Sequence, residues 1–241
     1  MSNLEEELLV MSKAFWGVVA AIVLILGGIF LLNHHNTSST GSKNSGNTQP
    51  TEHIEGNGKA GVTLVEYGDY ECPYCEEYYP IVQQVVSNNF NNIYFQFRNF
   101  PLTSIHPNAF AGVRAAEAAG LMGKFWQMHD ALYNASNWQQ WSTSSNPIPY
   151  FNQYAKQLGL NLSTFTKYYN SNQVNNMIVA DMQVGNNLGI NGTPTFYLDG
   201  KQIQVGPTVA DFQKLIDSAI KSKSGQPQAA TNSGTTSQTQ K

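Results

Sequence analysis

The chain of 241 residues holds two cysteines, Cys72 and Cys75, with Pro73 and Tyr74 between them. Thiols in a C-x-x-C spacing can close a reversible disulfide, supply half of a zinc site, or do no chemistry at all. With no further cysteine, zinc would need two ligands from His53, His106, His129 or acids. A single pair also excludes a disulfide-stapled scaffold, which needs several. The local context favours redox chemistry. The pair follows an apolar, β-branched run at 62–67 and opens a helical pattern from Pro73. The first backbone N–H groups of a helix are unpaired, and together with the helix dipole they stabilise an anion. Cys72 is therefore the expected nucleophile, more acidic than a free thiol at about 8.5. Cys75, one turn later and on the same side, is the expected resolving thiol. Pro73 costs no hydrogen bond in a first turn. One acid stands out nearby. Glu66 sits six residues before Cys72, and alternation puts it on the face of Val62 and Leu64. A carboxylate buried there is costly unless its pKa rises.

The elements that must position these residues can be read coarsely. VTLVEY (62–67) and IYFQFRNF (93–100) read as strands, with a helix between them carrying Tyr79, Val82, Val85 and Val86 at helical spacing. A long, mostly helical stretch runs from about 108 to 188, with turns near Gly120, at 136–149, near Gly159 and near Asn170. TFYL (195–198) and QIQV (202–205) are joined by Asp199-Gly200, a strong hairpin signal, and a last helix covers about 209–221. The order is βαβ, helices, ββα. That is the thioredoxin arrangement with helices inserted before the hairpin.

Four motifs carry a family resemblance. VEYGDYECPYC (65–75) is similar to the active-site strand and turn of the DsbA-like thiol:disulfide oxidoreductases of the thioredoxin superfamily. NGTPTFYLDG (191–200) resembles their cis-proline loop and hairpin, and FRNFPL (97–102) and GKFWQMHDALY (123–133) resemble their second strand and helical insertion. The likeness covers about 61–221. It implies a thioredoxin-like α/β fold with a helical insertion at about 104–190. It also implies a cis Pro194, with Pro73, Tyr74 and Thr193 beside it facing substrate, and a Glu66 that assists proton transfer at Cys75. The implied activity is disulfide introduction into exported cysteine-containing proteins, with reoxidation by a membrane partner of the DsbB or VKOR type. No cofactor or metal is required. Two features depart from the strongest oxidases of the family, whose intervening dipeptide is Pro-His. Tyr74 adds no positive charge, and Asp69, Glu71, Glu76 and Glu77 surround the motif. Nearby negative charge disfavours a thiolate, so a weaker oxidant is expected. A reductase or isomerase of the same fold, and a non-enzymatic chaperone or metal-binding module, are the alternatives.

The rest of the chain sets where such a domain works. Ala14–Leu32 is a 19-residue uncharged run, long enough at 1.5 Å per residue to cross the ~30 Å hydrocarbon core. It is longer than a signal peptide's apolar region and lacks a small-residue cleavage site. It is expected to be a single transmembrane anchor. Lys13 on its N-terminal side, with no Lys or Arg after it until Lys43, points to a cytoplasmic 1–13 and an extracytoplasmic remainder. Residues 33–60 and 222–241 are rich in Ser, Thr, Asn, Gln and Gly and are expected to be a flexible linker and a disordered tail. His34 and His35 in that linker read as solvated. Only 12% of residues are charged and the net charge is −3, which argues against a nucleic-acid binder. No zipper or dimerisation segment is evident, so a monomer is expected. His106 and His129 read as packing or surface residues, as do the tryptophans. Asn36, Asn134, Asn161 and Asn191 match N-x-[ST], a pattern too common to carry weight.

Overall fold

The computed structural model describes residues 49–225. The expected anchor (14–32) and most of the expected linker and tail lie outside the described residues. Among the described residues no helix is long and apolar enough to cross a membrane.

Five strands form one sheet in the order β1-β3-β2-β4-β5. They are β1 (His53–Glu55), β2 (Val62–Gly68), β3 (Ile93–Asn99), β4 (Thr195–Leu198) and β5 (Lys201–Ile203). Helix α1 (Pro73–Asn89) makes the right-sized crossover for β2 and β3 to pair in parallel, Leu64 opposite Phe95 and Glu66 opposite Phe97. β4 runs antiparallel to β2, so β2 is central. Its alternating residues divide between two packed faces. Val62, Leu64 and Glu66 lie on the side covered by α1, while Tyr67 packs with Phe100, Ile190 and Tyr197 in a smaller cluster on the other. The β4–β5 hairpin turns through Asp199 (φ 50°) and Gly200 (φ 78°), two left-handed residues in a row, as an Asp-Gly turn requires.

Between β3 and β4 lie six helices: α2 (Ala109–Gly120), α3 (Phe125–Tyr133), α4 (Ala135–Ser142), α5 (Ile148–Gln157), α6 (Leu162–Tyr169) and α7 (Asn172–Asn187). The thioredoxin-like fold with a helical insertion is thus present. The first half of 136–149, expected as a turn, belongs to the helix α4; its start is fixed by Asn134, whose side chain accepts from Asn137 N–H. Asn161 caps α6 in the same way through Thr164 N–H. Two of the four N-x-[ST] asparagines therefore serve as N-caps. Helix α8 (Val209–Ser224), capped by Thr208, runs three residues beyond the expected end of the domain at 221.

The expected linker, 33–60, needs correction at its C-terminal end. His53–Glu55 pairs antiparallel with Phe95–Phe97 as an edge strand. A three-residue strand has no readable alternation, so its signal is tertiary. Thr51 N–H and Oγ1 both donate to Asp181 (2.8 and 2.5 Å). His53 Nε2 meets Glu117 Oε1 at 2.8 Å, and the ring stacks on Phe125 with centroids 3.3 Å apart. These ties come from α2, α3 and α7, far along the chain.

Candidate active site

Cys72 is the N-cap residue of α1, in extended conformation, and Pro73 follows at the first helical position. Its carbonyl accepts the first helical bond, from Glu76 N–H at 3.1 Å. Both cysteines are free thiols, and both are buried. The Cys72 thiol is lowered from 9.0 to about 6. The largest cause is the Cys75 thiol donating to its sulfur, which outweighs the opposing effect of burial. The Thr193 side chain and the main-chain N–H groups of Cys75 and Tyr74 add to the lowering. The Thr193 carbonyl lies 3.3 Å from Cys72 Sγ, and among the described residues the buried Thr193 hydroxyl has no hydrogen-bond partner. The Thr193–Pro194 peptide bond is cis. Burial and the Cys72 neighbour push the Cys75 thiol well up. One thiol of the pair is thus prepared to ionise and the other to stay protonated.

The acids around the motif do not act as expected. Asp69 is buried and fully engaged, accepting from Glu71 N–H (2.8 Å), Leu102 N–H (2.9 Å) and His106 Nδ1 (2.7 Å). Glu71 accepts from Asn108 N–H at 2.5 Å. Spent on turn geometry, these carboxylates do not raise Cys72. His106, read from sequence as a packing or surface residue, turns out to be a hydrogen-bond partner for Asp69. Asp69 N–H in turn lies 3.5 Å from Cys75 Sγ. The only sequence signal for this was a histidine in a Pro-bracketed loop after β3.

Glu66 is 4% exposed, and among the described residues it has no hydrogen-bond partner. Burial first, and the Cys72 thiolate second, push its carboxyl from 4.5 to about 8. It lines a cavity of about 380 Å³ between α1 and α3, with Tyr79, His129 and Tyr133 among its walls. His129 is buried, hydrogen-bonded to Tyr70 Oη (3.0 Å), and lowered by burial to about 3, so it stays neutral. On the outer side of the motif, Tyr74 and Pro194 line a groove of about 230 Å³ that continues along Tyr78, Phe196 and β5. Tyr74 is 64% exposed, so an apolar rim borders the buried thiol. The structure therefore gathers Glu66, Cys72, Cys75, Thr193 and Pro194 at the C-terminal ends of β2 and β3 and the N-terminal end of β4. Among the described residues, no cluster of three or more His, Cys, Asp or Glu side chains is placed to hold a metal.

A dithiol at the head of a helix, beside a cis-proline loop on a β1-β3-β2-β4-β5 sheet, defines a thioredoxin-like redox domain. A thioredoxin family model matches residues 48–218. The chain belongs to the thioredoxin family. Among solved structures it is similar to a thioredoxin-like oxidoreductase from Silicibacter pomeroyi DSS-3: 26% identity, TM-score 0.60, 75% of this chain and 98% of that one. BdbD from Bacillus subtilis (20% identity, TM-score 0.60, 72% and 96%) shares the fold. So does the thiol-disulfide exchange protein alpha-DsbA2 from Wolbachia pipientis (20%, 0.58, 71% and 87%). Curated relatives include the Na(+)/H(+) antiporter NhaA 1 of Salinispora arenicola, 34% identical over 169 residues, 70% of this chain. The antiporter NhaA 3 of Salinispora tropica is 33% identical over 151 residues. The chain spans about a quarter of the length of these relatives (25% and 22%), and their name describes the longer proteins.

Proposed function

We propose that the chain is a membrane-anchored, extracytoplasmic thiol:disulfide oxidoreductase that introduces disulfides into exported proteins. The observation that carries this reading is Cys72: an N-cap thiol lowered to about 6, next to a Cys75 held protonated. In the oxidised state a substrate thiolate attacks Cys72 Sγ, and the Cys72–Cys75 bond breaks with its electron pair on Cys75. A mixed disulfide joins Cys72 to the substrate. A second substrate thiolate attacks the substrate sulfur of that bond, and Cys72 leaves as the stabilised thiolate. The substrate is oxidised by two electrons and the dithiol is reduced. Glu66, protonated below about pH 8, supplies the proton that Cys75 takes up. Pro73, Tyr74, Thr193 and Pro194 seat the substrate segment along the groove beside the thiol. A membrane partner of the DsbB or VKOR type reoxidises the pair. Anchoring by residues 14–32 keeps the two in one bilayer and raises their effective concentration. The solved relatives' names, which speak of oxidoreduction and thiol-disulfide exchange, support the same chemistry.

The test is the reduction potential of Cys72–Cys75 in glutathione buffers. A value around −120 to −180 mV supports disulfide donation, and one near −270 mV makes this a reductase. Absence of a reversible dithiol leaves only the binding-module reading. The anchor is tested separately, by whether the full chain resists alkaline extraction from membranes.

A further inference from the structure

Resting on the redox reading above, we propose that the Asp69 main-chain N–H receives the negative charge that forms on Cys75 Sγ as the active-site disulfide opens, and that the Asp69 carboxylate and His106 hold it in place. The Asp69 N–H lies 3.5 Å from Cys75 Sγ, a hydrogen bond to the larger sulfur atom. Cys72 draws instead on the N–H groups of Cys75 and Tyr74, so the two sulfurs have separate main-chain donors. When a thiolate attacks Cys72 Sγ, the Cys72–Cys75 bond breaks with its electron pair on Cys75 Sγ. Cys75 has no exposure, so solvent does not reach that charge. Until a proton arrives, a donor aimed at the sulfur lowers the barrier, as an oxyanion hole does for an oxygen anion.

A donor of this kind helps only if its direction is fixed before the reaction. The Gly68–Asp69 peptide unit is fixed from both sides. Gly68 C=O accepts from Phe100 N–H at 2.8 Å, which ties the carbonyl to the end of β3. A trans peptide is planar, so the N–H points the opposite way, to Cys75. All four polar atoms of Asp69 are engaged in the same turn. Its C=O accepts from Cys72 N–H at 3.1 Å. Oδ1 accepts from Glu71 N–H at 2.8 Å, and Oδ2 from Leu102 N–H at 2.9 Å and His106 Nδ1 at 2.7 Å. The 102–106 segment closes on itself, since the N–H groups of Ile105 and His106 both donate to Leu102 C=O at 3.0 Å. It thereby presents the Leu102 N–H and the His106 ring to one carboxylate oxygen. His106 acts on Cys75 in two ways of the same sign. It holds the turn that aims the N–H. Its hydrogen bond also offsets the charge of the carboxylate, which would otherwise oppose a second negative charge on the nearby sulfur. The Asp69 carboxylate and His106 touch no reacting atom. They are positioning residues that act through the N–H.

The test is a rate. Glutathione thiolate attacks Cys72 Sγ of the oxidised full chain, a glutathione–Cys72 disulfide forms, and Cys75 departs with the electron pair. His106→Leu keeps the bulk and removes the donor. His106→Asn returns it, because the Asn amide nitrogen stands as many bonds from the backbone as Nδ1. Asp69→Asn keeps an oxygen for Glu71 N–H and puts a donor where Leu102 and His106 need an acceptor. The opening rate at pH 7 is expected to fall about tenfold in His106→Leu and in Asp69→Asn, and to recover to within about twofold in His106→Asn. Iodoacetamide alkylation of the reduced chain at Cys72, on its high-pH plateau, is expected to stay unchanged in all three. A merely loosened turn moves both rates, because Cys72 N–H is bonded to Asp69 C=O. An N–H turned away from Cys75 moves only the first. Near-UV circular dichroism identifies the folded variants, and His106→Leu and Asp69→Asn each decide alone should the other not fold. In a folded variant, an unchanged opening rate overturns the proposal, as does a parallel fall in alkylation or a fall that His106→Asn does not reverse. If the unsubstituted chain forms no disulfide that glutathione opens, the redox reading itself has failed and this proposal falls with it.

Discussion

At pH 7 a thiol with a pKa near 6 is about 90% ionised, whereas one at 9.0 is about 1% ionised. Holding the reduced state in that form stabilises it by about 1.4 kcal/mol, or about 30 mV for a two-electron couple. The alkylation rate of Cys72 by iodoacetamide should therefore rise with pH to a half-maximum near 6 and then flatten. A half-maximum between 8 and 9 would remove the basis for an oxidising pair. Cys72→Ser should abolish exchange while leaving any holdase activity intact, which separates an enzyme from a binding module. Glu66 works in the opposite sense. Its folded-state pKa, about 8 against 4.5, means that the fold binds an extra proton between those values. Stability is then highest below about 4.5 and falls as pH rises to about 8, by an amount on the order of 5 kcal/mol. Glu66→Gln should remove this slope. In urea titrations of the reduced chain, its advantage over the unsubstituted protein should be near zero at pH 4.5 and largest above pH 8. Equal advantages at both ends would show that burial of Glu66 carries no ionisation cost.

The site depends on elements whose legibility in the sequence differs sharply. β2, α1, β3 and the Asp199-Gly200 hairpin declare themselves through local pattern, and with them the placing of Cys72 and Cys75. Glu66 was legible by simple alternation along β2. What stayed hidden depends on partners distant in sequence. β1 exists because Thr51 and His53 find Asp181 and Glu117, which lie 130 and 64 residues away. Similarly, the acids near the motif read as a field of negative charge because their N–H and histidine partners, at Leu102, His106 and Asn108, belong to a loop with no pattern of its own. Asp181 is the tightest of these junctions. It has no exposure and takes bonds from Thr51, from the Asn99 main chain and side chain, and from Arg98 at 3.1 Å. Asp181→Ala would strand the Arg98 guanidinium and the Thr51 and Asn99 donors. The expected cost is about 3–5 kcal/mol, the range for breaking a buried ion pair from one side. Hydrogen exchange should show β1 losing protection before β2 does. A loss below 1 kcal/mol would mean that water replaces the carboxylate at no penalty.

Across the whole molecule, redox state and fold stability are one equilibrium seen from two sides. If the reduced state is favoured by its Cys72 thiolate, the folded reduced chain must outlast the folded oxidised chain by the same increment. The disulfide spans only two intervening residues, so it restrains the unfolded chain little and does not mask the effect. The sign follows from a depressed folded-state pKa. The thiolate's contribution is full above the unfolded value of about 9, shrinks as pH falls, and is gone below about 6. Cys75, pushed upward, opposes it only above about pH 9, and Glu66, whose destabilisation builds from about pH 4.5 to 8, sits in both redox forms and cancels to first order in their difference. The informative window is therefore pH 5 to 7.5. Over that range the denaturation free energy of the reduced chain should rise relative to the oxidised one. The difference should grow by about 1.4 kcal/mol between pH 5 and pH 7. On the proposed reading as a disulfide donor, this bias lets the disulfide flow onward to substrates whose own disulfides are more stable. If the oxidised chain proves the more stable at pH 7, electrons run the other way, and the domain reduces or isomerises disulfides that other proteins have made.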